Sequence, residues 1–402
     1  MTIETIQNGH VTMPKGFLAG AVSAGIKTRA GALDLCLLYS ERECTAAGMF
    51  TQNLVKGAPV VLTAQNVSDG RLRAIVANSG NSNSLNGPGG MEDAREMVAM
   101  AASTLGLNNQ DVAVCSTGIT GVRMPMAKVR THLPTVSISA DGGNDLAEAI
   151  MTTDTRPKQI AVRVSTAKGS YTVAGCSKGS GMIHPNMATM FTFVTTDADV
   201  EIDCLRGLQR EVAAKTLNII SVDGDTSCSD TFLVLANGAA GLPRIESGTP
   251  EAEEFQEALL TVCTHLAREL ARDGEGARHL IEVAVTGATN LEGARAVART
   301  VSTSPLVKTA VAGFDPNWGR ILVAAGRAGA PLEESKVSMS LQGDLIFQRG
   351  LALPFDEPEM SKKLESEEVK IEIDLGLGDA SATAWGCDLT TDYVHINADY
   401  RT

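Results

Sequence analysis

The chain has 402 residues and a formal net charge of −13, with 34 lysines and arginines against 47 aspartates and glutamates. That acidity argues against a nucleic-acid or anionic-membrane partner, since both require a basic patch. A composition of 44% hydrophobic and 4% aromatic residues describes an ordinary globular α/β protein and excludes a disordered one.

The first residues, which include Glu4 and His10, form no apolar leader, and no stretch approaches the roughly 18 apolar residues of a membrane span, so the expected location is cytoplasmic. Apolar runs predict strands at 33–38, 59–64 and 74–78. A loop rich in asparagine and glycine follows over 79–90. Next, Ala94, Met97, Val98, Ala101 and Leu105 share one face of a helix over 91–105, with Gly106 as its C-cap. A strand, a glycine-rich loop and a helix is the order of a phosphate cradle, but both the Walker lysine and Gly-x-Gly-x-x-Gly are missing, which favours a structural turn.

A strand from Val112 runs into Ser116-Thr-Gly-Ile-Thr120, small residues whose amides and hydroxyls can face a developing negative charge. Asn144 is placed to cap a helix carrying Leu146, Ala149 and Ile150, and Pro157 prevents its continuation. Strands over 160–164 and 171–174 lead to Lys178.

From Lys178 to His184 and Pro185 the chain is glycine-rich and predicts an irregular loop, whereas Met190 to Val194 reads as a buried strand. Thr189 sits at the junction. If the Ala188–Thr189 bond were broken, the threonine would carry its own base, an α-amine with a pKa of about 8. In the intact chain the same hydroxyl could attack the Ala188 carbonyl, an intramolecular step with effective molarities on the order of 10⁵ to 10⁸ M. The plain alternative is a tight loop whose threonine begins a core strand.

Asp203 is placed to cap a helix with Leu205, Leu208, Val212 and Leu217 inward. The segment 221–230 holds three aspartates without the glycine and glutamate spacing of a calcium loop, and reads as a turn with no metal. Residues 242–248 are linker-like. Thr249-Pro250 starts a helix whose apolar stripe runs Phe255, Leu259, Val262, Leu266, Leu270 and which stops at Asp273-Gly-Glu275-Gly. Glu275 on that tight loop is either a solvated turn acid or a group able to hold an ammonium. Strands are predicted at 281–285, 337–341 and 369–375, the last two with one wet face. The eight cysteines, Cys115 and Cys176 among them, form no Cys-x-x-Cys pair and read as packed core thiols of a reducing compartment. His279 and His395 read as packed or solvated.

Lys178-Gly-Ser-Gly-Met, Pro185-Asn-Met-Ala-Thr-Met and Thr195-Thr-Asp-Ala resemble the self-cleavage and nucleophile segment of the ornithine acetyltransferases (glutamate N-acetyltransferases) of arginine biosynthesis. The likeness runs along almost the whole chain. It implies an α/β fold with mixed, layered αββα-like sheets, cut between Ala188 and Thr189 into an α chain, 1–188, and a β chain, 189–402, which stay together as an α2β2 heterotetramer. It further implies Thr189 as the nucleophile, Thr117 and Gly118 as the oxyanion hole, and Thr152, Lys178, Thr189, Glu275, Asn397 and Thr402 as substrate contacts, with the C-terminal tail folded back onto the site.

The implied reaction moves an acetyl group from N-acetylornithine to glutamate through an acetyl-threonine enzyme, with no bound cofactor. In some members acetyl-CoA serves as co-substrate. Thr120 stands where many members carry an aliphatic residue. Residues 305–311 and Asp315-Pro-Asn-Trp-Gly-Arg320 also match, with Asp315, Asn317 and Arg320 as candidates for groups behind the site. Two other readings are an amidohydrolase or aminopeptidase with the same N-terminal nucleophile, and an uncut, non-catalytic module binding a nucleotide or metabolite.

Overall fold

In the computed structural model, which describes residues 1–184 and 190–399, two mixed sheets carry the chain. The first has nine strands. Eight lie in the order Thr2–Thr5, Lys158–Thr166, Gly169–Lys178, Phe191–Thr196, Thr231–Ala236, Leu35–Phe50, Arg71–Asn81 and Val112–Ile119, and Phe17–Val22 adds to the Leu35–Phe50 strand. At its centre Phe191 pairs with Lys178 on one side and with Thr231 on the other, while Thr231 pairs with Phe50. Two strands that follow residue 189 are thus inserted between strands that precede it.

Every residue of Phe191–Thr196 is buried. This explains its continuous apolar and β-branched sequence, the pattern of a strand covered on both faces. The second sheet has seven strands, with Leu280–Ala288 between Glu368–Asp374 and Ala380–Cys387. Glu368–Asp374 alternates buried and exposed residues, as its sequence predicts.

The helix Pro250–Arg272 packs on strands of both sheets through the stripe from Phe255 to Leu270. Thr249 caps it by accepting the Ala252 N–H. Helix Gly87–Leu105 covers the Val112–Ile119 edge and ends at Gly106 in the left-handed region. All eight cysteines are free, and all but Cys228 are buried. Burial pushes the Cys36 and Cys44 thiols up to about 12.

Four local expectations are corrected. Residues 59–64 belong to a helix, Ala58–Asn66, which buries Val60, Leu62 and Thr63; a short apolar run carries no decisive period, and Pro59 in the first turn is the signal that was overlooked. Helix Gly87–Leu105 begins ahead of residue 91, again with a proline in its first turn. Glu201, not Asp203, caps Ile202–Lys215 by accepting the Asp203 and Cys204 N–H groups. Asn144 lies inside Gly143–Ala149 rather than ahead of it, and its side-chain Oδ1 accepts from Gln159 Nε2 at 2.6 Å.

Candidate active site

Lys178 ends the Gly169–Lys178 strand and Thr117 lies near the end of Val112–Ile119. The first sheet curls enough that the Lys178 Nζ donates to Thr117 Oγ1 at 3.4 Å. Next to Thr117, Gly118 has φ +124, and a Cβ there would lie 2.4 Å from the Gly80 carbonyl carbon. Only glycine fits that crossing. The Thr120 hydroxyl lies 3.2 Å from Ser82 Oγ, so its polarity is accommodated where an aliphatic side chain was expected.

A buried charge network holds these segments together. The Lys158 ammonium donates to Asp154 Oδ1 at 2.6 Å and to Asp273 Oδ2 at 2.5 Å, with all three side chains almost wholly excluded from solvent. Asp154 also accepts the Thr152 N–H at 2.9 Å and the Gly179 N–H at 2.6 Å. Ser180 Oγ donates to the Asp273 carbonyl at 2.6 Å. One lysine thereby fixes the Thr152 loop, the start of the glycine loop and the turn after the long helix. Burial alone would raise the Asp154 carboxyl, but Lys158 and Lys178, with the Gly179 N–H, hold it well below the usual carboxylate range. Burial pushes the Lys178 ammonium below its ordinary value, with Asp154 opposing.

Glu275 sits on the turn after Asp273. Its N–H donates to the Ser180 carbonyl at 2.9 Å, and its carboxylate accepts from Asn397 Nδ2 at 2.7 Å. A Cβ on Gly181 would lie 2.3 Å from Glu275 Oε2 and displace that carboxylate, whereas one on Gly276, φ +70, would lie 2.5 Å from the Tyr393 backbone nitrogen, an approach that needs glycine. Asn397 and Tyr393 belong to helix Thr391–Asp399, so the tail is ordered against the site through Asp399. Asp223 accepts the Met182 and Ile183 N–H groups at 2.5 and 2.9 Å, pinning the glycine loop from the other side.

Thr117, Gly118, Thr152, Lys178, Glu275 and Asn397 all line one cavity of about 130 Å³. Met190, bonded to residue 189, lines it too. Ala188, Thr189 and Thr402 fall outside the described residues. Asp315 and Asn317 line a different, smaller pocket, Asn317 capping Trp318–Gly326, and Arg320 donates to the Leu306 carbonyl; none of the three borders the cavity. His279 is packed edge-on against Phe314, and His395 is exposed. Tyr393, Asp223, Asp230 and Ser82 also line the cavity and were not singled out as site residues. The aspartate-rich run 221–230 is the sequence signal for this wall, since Asp223, Asp225 and Asp230 all line the cavity. Chemically, the cavity presents a buried ammonium, a carboxylate and a hydroxyl beside the start of a rigid strand, the complement of a zwitterionic amino acid.

A model of the ArgJ family matches residues 18–402. The arginine biosynthesis bifunctional protein ArgJ of Symbiobacterium thermophilum is 51% identical over 398 residues, covering 98% of this chain and 99% of that one. The protein of the same name from Dehalococcoides mccartyi is 48% identical over 402 residues, covering 100% and 99%. Among solved structures, the arginine biosynthesis bifunctional protein argJ of Bacillus halodurans is 42% identical with a TM-score of 0.52, covering 53% of this chain and 100% of that one.

Proposed function

Because the chain belongs to the ArgJ family, we propose that it transfers the acetyl group of N2-acetyl-L-ornithine to L-glutamate, giving ornithine and N-acetylglutamate. The observation that carries this reading is the convergence of Thr117, Gly118, Thr152, Lys178, Glu275 and Asn397 on one cavity bordered by Met190.

The chain cuts itself between Ala188 and Thr189, and the new α-amine of Thr189 is the base for its own hydroxyl. Thr189 Oγ attacks the acetyl carbonyl while the amine takes its proton. Thr117 and Gly118 stabilise the oxyanion, one such donor contributing about 3 to 4 kcal/mol. The intermediate collapses, the protonated α-amine returns its proton to the leaving nitrogen, and ornithine departs from an acetyl-Thr189 ester. Glutamate then attacks the ester with its amine, and Thr189 leaves as the hydroxyl. Lys178 holds the substrate carboxylate and Glu275 an ammonium, with Thr152, Asn397 and Thr402 completing the contacts. Proton transfer of this kind contributes about 10² to 10⁴ in rate, and exclusion of water from the ester directs the acetyl group to glutamate.

The two pieces, 1–188 and 189–402, stay associated and pair as an α2β2 heterotetramer. In support of that cut, residues 189–402 make up 53% of the chain, the same share that the complete Bacillus halodurans chain covers. The relatives are named bifunctional, and the corresponding second activity here is acetylation of glutamate by acetyl-CoA, used as a co-substrate with no resident cofactor.

The test is to denature the purified protein and weigh it, then assay transfer. Two chains ending at Ala188 and beginning at Thr189 are expected, together with glutamate-dependent release of ornithine. Thr189→Ala should give one uncut chain and no transfer. An uncut but fully active enzyme, or acetate in place of N-acetylglutamate, would reject the reading, and an assay with acetyl-CoA and glutamate alone decides the second activity.

A further inference from the structure

The cavity of about 130 Å³ is sized for an amino acid. Larger ligands fill pockets of about 300 to 1,000 Å³, so most of an acetyl-CoA donor must lie outside the cavity, across its mouth. Two kinds of segment form that mouth. Asp223, Asp225 and Glu275 stand on one kind. Ser82, Thr117 and Thr120 stand on the other, which comprises 79–91 and 112–140 and, bonded to them, 51–68. These three stretches contain no aspartate or glutamate, in a chain that has 47.

On the acid-free segments large apolar side chains face solvent. Leu54 is 97% exposed, Val55 46%, Leu85 67% and Val122 43%. Hydrogen bonds gather them beside the cavity: the Gly57 N–H donates to the Cys228 carbonyl at 2.9 Å, the Gly121 N–H to the Ser84 carbonyl at 3.0 Å, and Asn86 Nδ2 to the Val122 carbonyl at 3.0 Å. Cys228 lines the cavity, and its Sγ donates to Ser84 Oγ at 3.2 Å. A gathered apolar patch of this kind marks a binding surface. Leu85 also has φ +60, a left-handed backbone that leucine rarely takes. Such strain is retained where a site uses it. Lys56, between Val55 and Gly57, is exposed and has no ion-pair partner among the described residues.

We propose that Leu54, Val55, Leu85 and Val122 seat the pantetheine arm of acetyl-CoA and that Lys56 meets a phosphate of its nucleotide, so that the thioester enters over the acid-free segments. The assignment rests on the second activity proposed above. The carboxylates of Asp223, Asp225 and Glu275 would repel the phosphates on any path over their own segments. Thr117 and Gly118 belong to the strand that leads to Val122, which aligns the arm with the oxyanion hole. In the step itself Thr189 Oγ attacks the thioester carbonyl while its α-amine takes the proton. The carbon–sulfur bond breaks, and the protonated amine passes that proton to the departing thiolate, leaving free coenzyme A and the acetyl-Thr189 ester. Glutamate then takes the acetyl group as it does in transfer from N-acetylornithine. That donor carries no such arm, so the patch serves the thioester alone.

The experiment uses the cleaved enzyme and measures kcat and KM for acetyl-CoA, S-acetylpantetheine and N-acetylornithine, each with glutamate as acceptor. Leu54→Ser and Leu85→Ser should each raise KM for both thioesters by about tenfold, the scale of one apolar side chain withdrawn from contact, with the N-acetylornithine kinetics unchanged. Lys56→Glu should raise KM for acetyl-CoA by about fivefold at low salt and by less as salt rises. It should spare S-acetylpantetheine, which lacks the nucleotide. Unchanged acetyl-CoA kinetics in all three variants, or equal impairment with N-acetylornithine, would overturn the assignment. A smaller assembly in either leucine variant would also overturn it, giving the patch to a second copy of the chain. If the leucine variants fail to fold, the salt dependence of Lys56→Glu decides. Wild type that transfers from N-acetylornithine but makes no N-acetylglutamate from acetyl-CoA would remove the proposal together with the second activity. No transfer from any donor would defeat the acetyl-transfer reading instead.

Discussion

The Lys178 ammonium lies 3.4 Å from the Thr117 hydroxyl although their strands are five positions apart in one sheet. At about 4.8 Å per strand a flat sheet would separate them by roughly 24 Å, far beyond a lysine's reach. Curling of the sheet closes that distance, and it brings the hydroxyl assigned to the oxyanion hole together with the cation assigned to the substrate carboxylate.

Thr117→Val should keep the side chain's shape and lose its hydroxyl. We expect kcat for acetyl transfer to fall about 10²- to 10³-fold with a smaller change in KM, and Thr117→Ser to restore most of the rate. Steady-state kinetics on the cleaved enzymes provide the measurement.

The resemblance named residues that line this cavity, and short glycine-bearing segments explain how the fold displays them. Gly118 and Gly276 occupy backbone conformations and close approaches that need glycine, and Gly181 leaves room for the Glu275 carboxylate, so the residues beside them are displayed from tight loops. The long helix was equally plain, with a capping threonine, a proline and an unbroken stripe. Two kinds of feature were hidden. Residues 59–64 contain no decisive period, so strand and helix compete until Pro59 is weighed. The Lys158 pairs with Asp154 and Asp273 join residues up to 115 positions apart in sequence, and nothing local in Lys158 separates a buried ion pair from a solvated lysine. Asp230 was hidden in the same way, since only the register beside Met190 turns a turn aspartate into a cavity wall.

Gly181→Ala places a methyl 2.3 Å from Glu275 Oε2 and must displace that carboxylate. The expected outcome is a rise in KM for the amino-acid substrates of about tenfold, the size of one lost charged hydrogen bond. Thermal unfolding of the variant distinguishes this local displacement from general loss of structure.

Lys158→Met leaves Asp154 and Asp273 buried without their cation. Breaking a buried pair by removing one partner costs about 3 to 5 kcal/mol, and denaturant unfolding should show a loss of that order. The variant should also misplace the Thr152 and Gly179 segments, whose N–H groups both rest on Asp154.

Stability should decline on acidification in two stages. Burial, with Arg299 nearby, lowers the His184 imidazole from 6.5 to about 4 in the folded protein. Between those values the unfolded chain binds a proton that the folded one refuses, so stability present above about pH 6.5 is lost as pH falls toward 4. Asp154, depressed by its lysines, contributes the second stage: its stabilisation is present above the unfolded carboxylate value and fades as pH drops below that value. Melting temperatures measured from pH 7.5 to 3 should show both stages, and His184→Gln should diminish the first, to which His10 and His265, also lowered by burial, contribute the remainder.

The placement of Phe191–Thr196 and Thr231–Ala236 between Gly169–Lys178 and Leu35–Phe50 also sets a timetable. During translation Gly169–Lys178 can pair with Lys158–Thr166, and Leu35–Phe50 with Phe17–Val22 and Arg71–Asn81, but the edges that face each other across the gap stay open until residue 236 has left the ribosome, and an open edge invites aggregation. The proposed cut before Thr189 is therefore expected to follow the insertion of these two strands into the sheet.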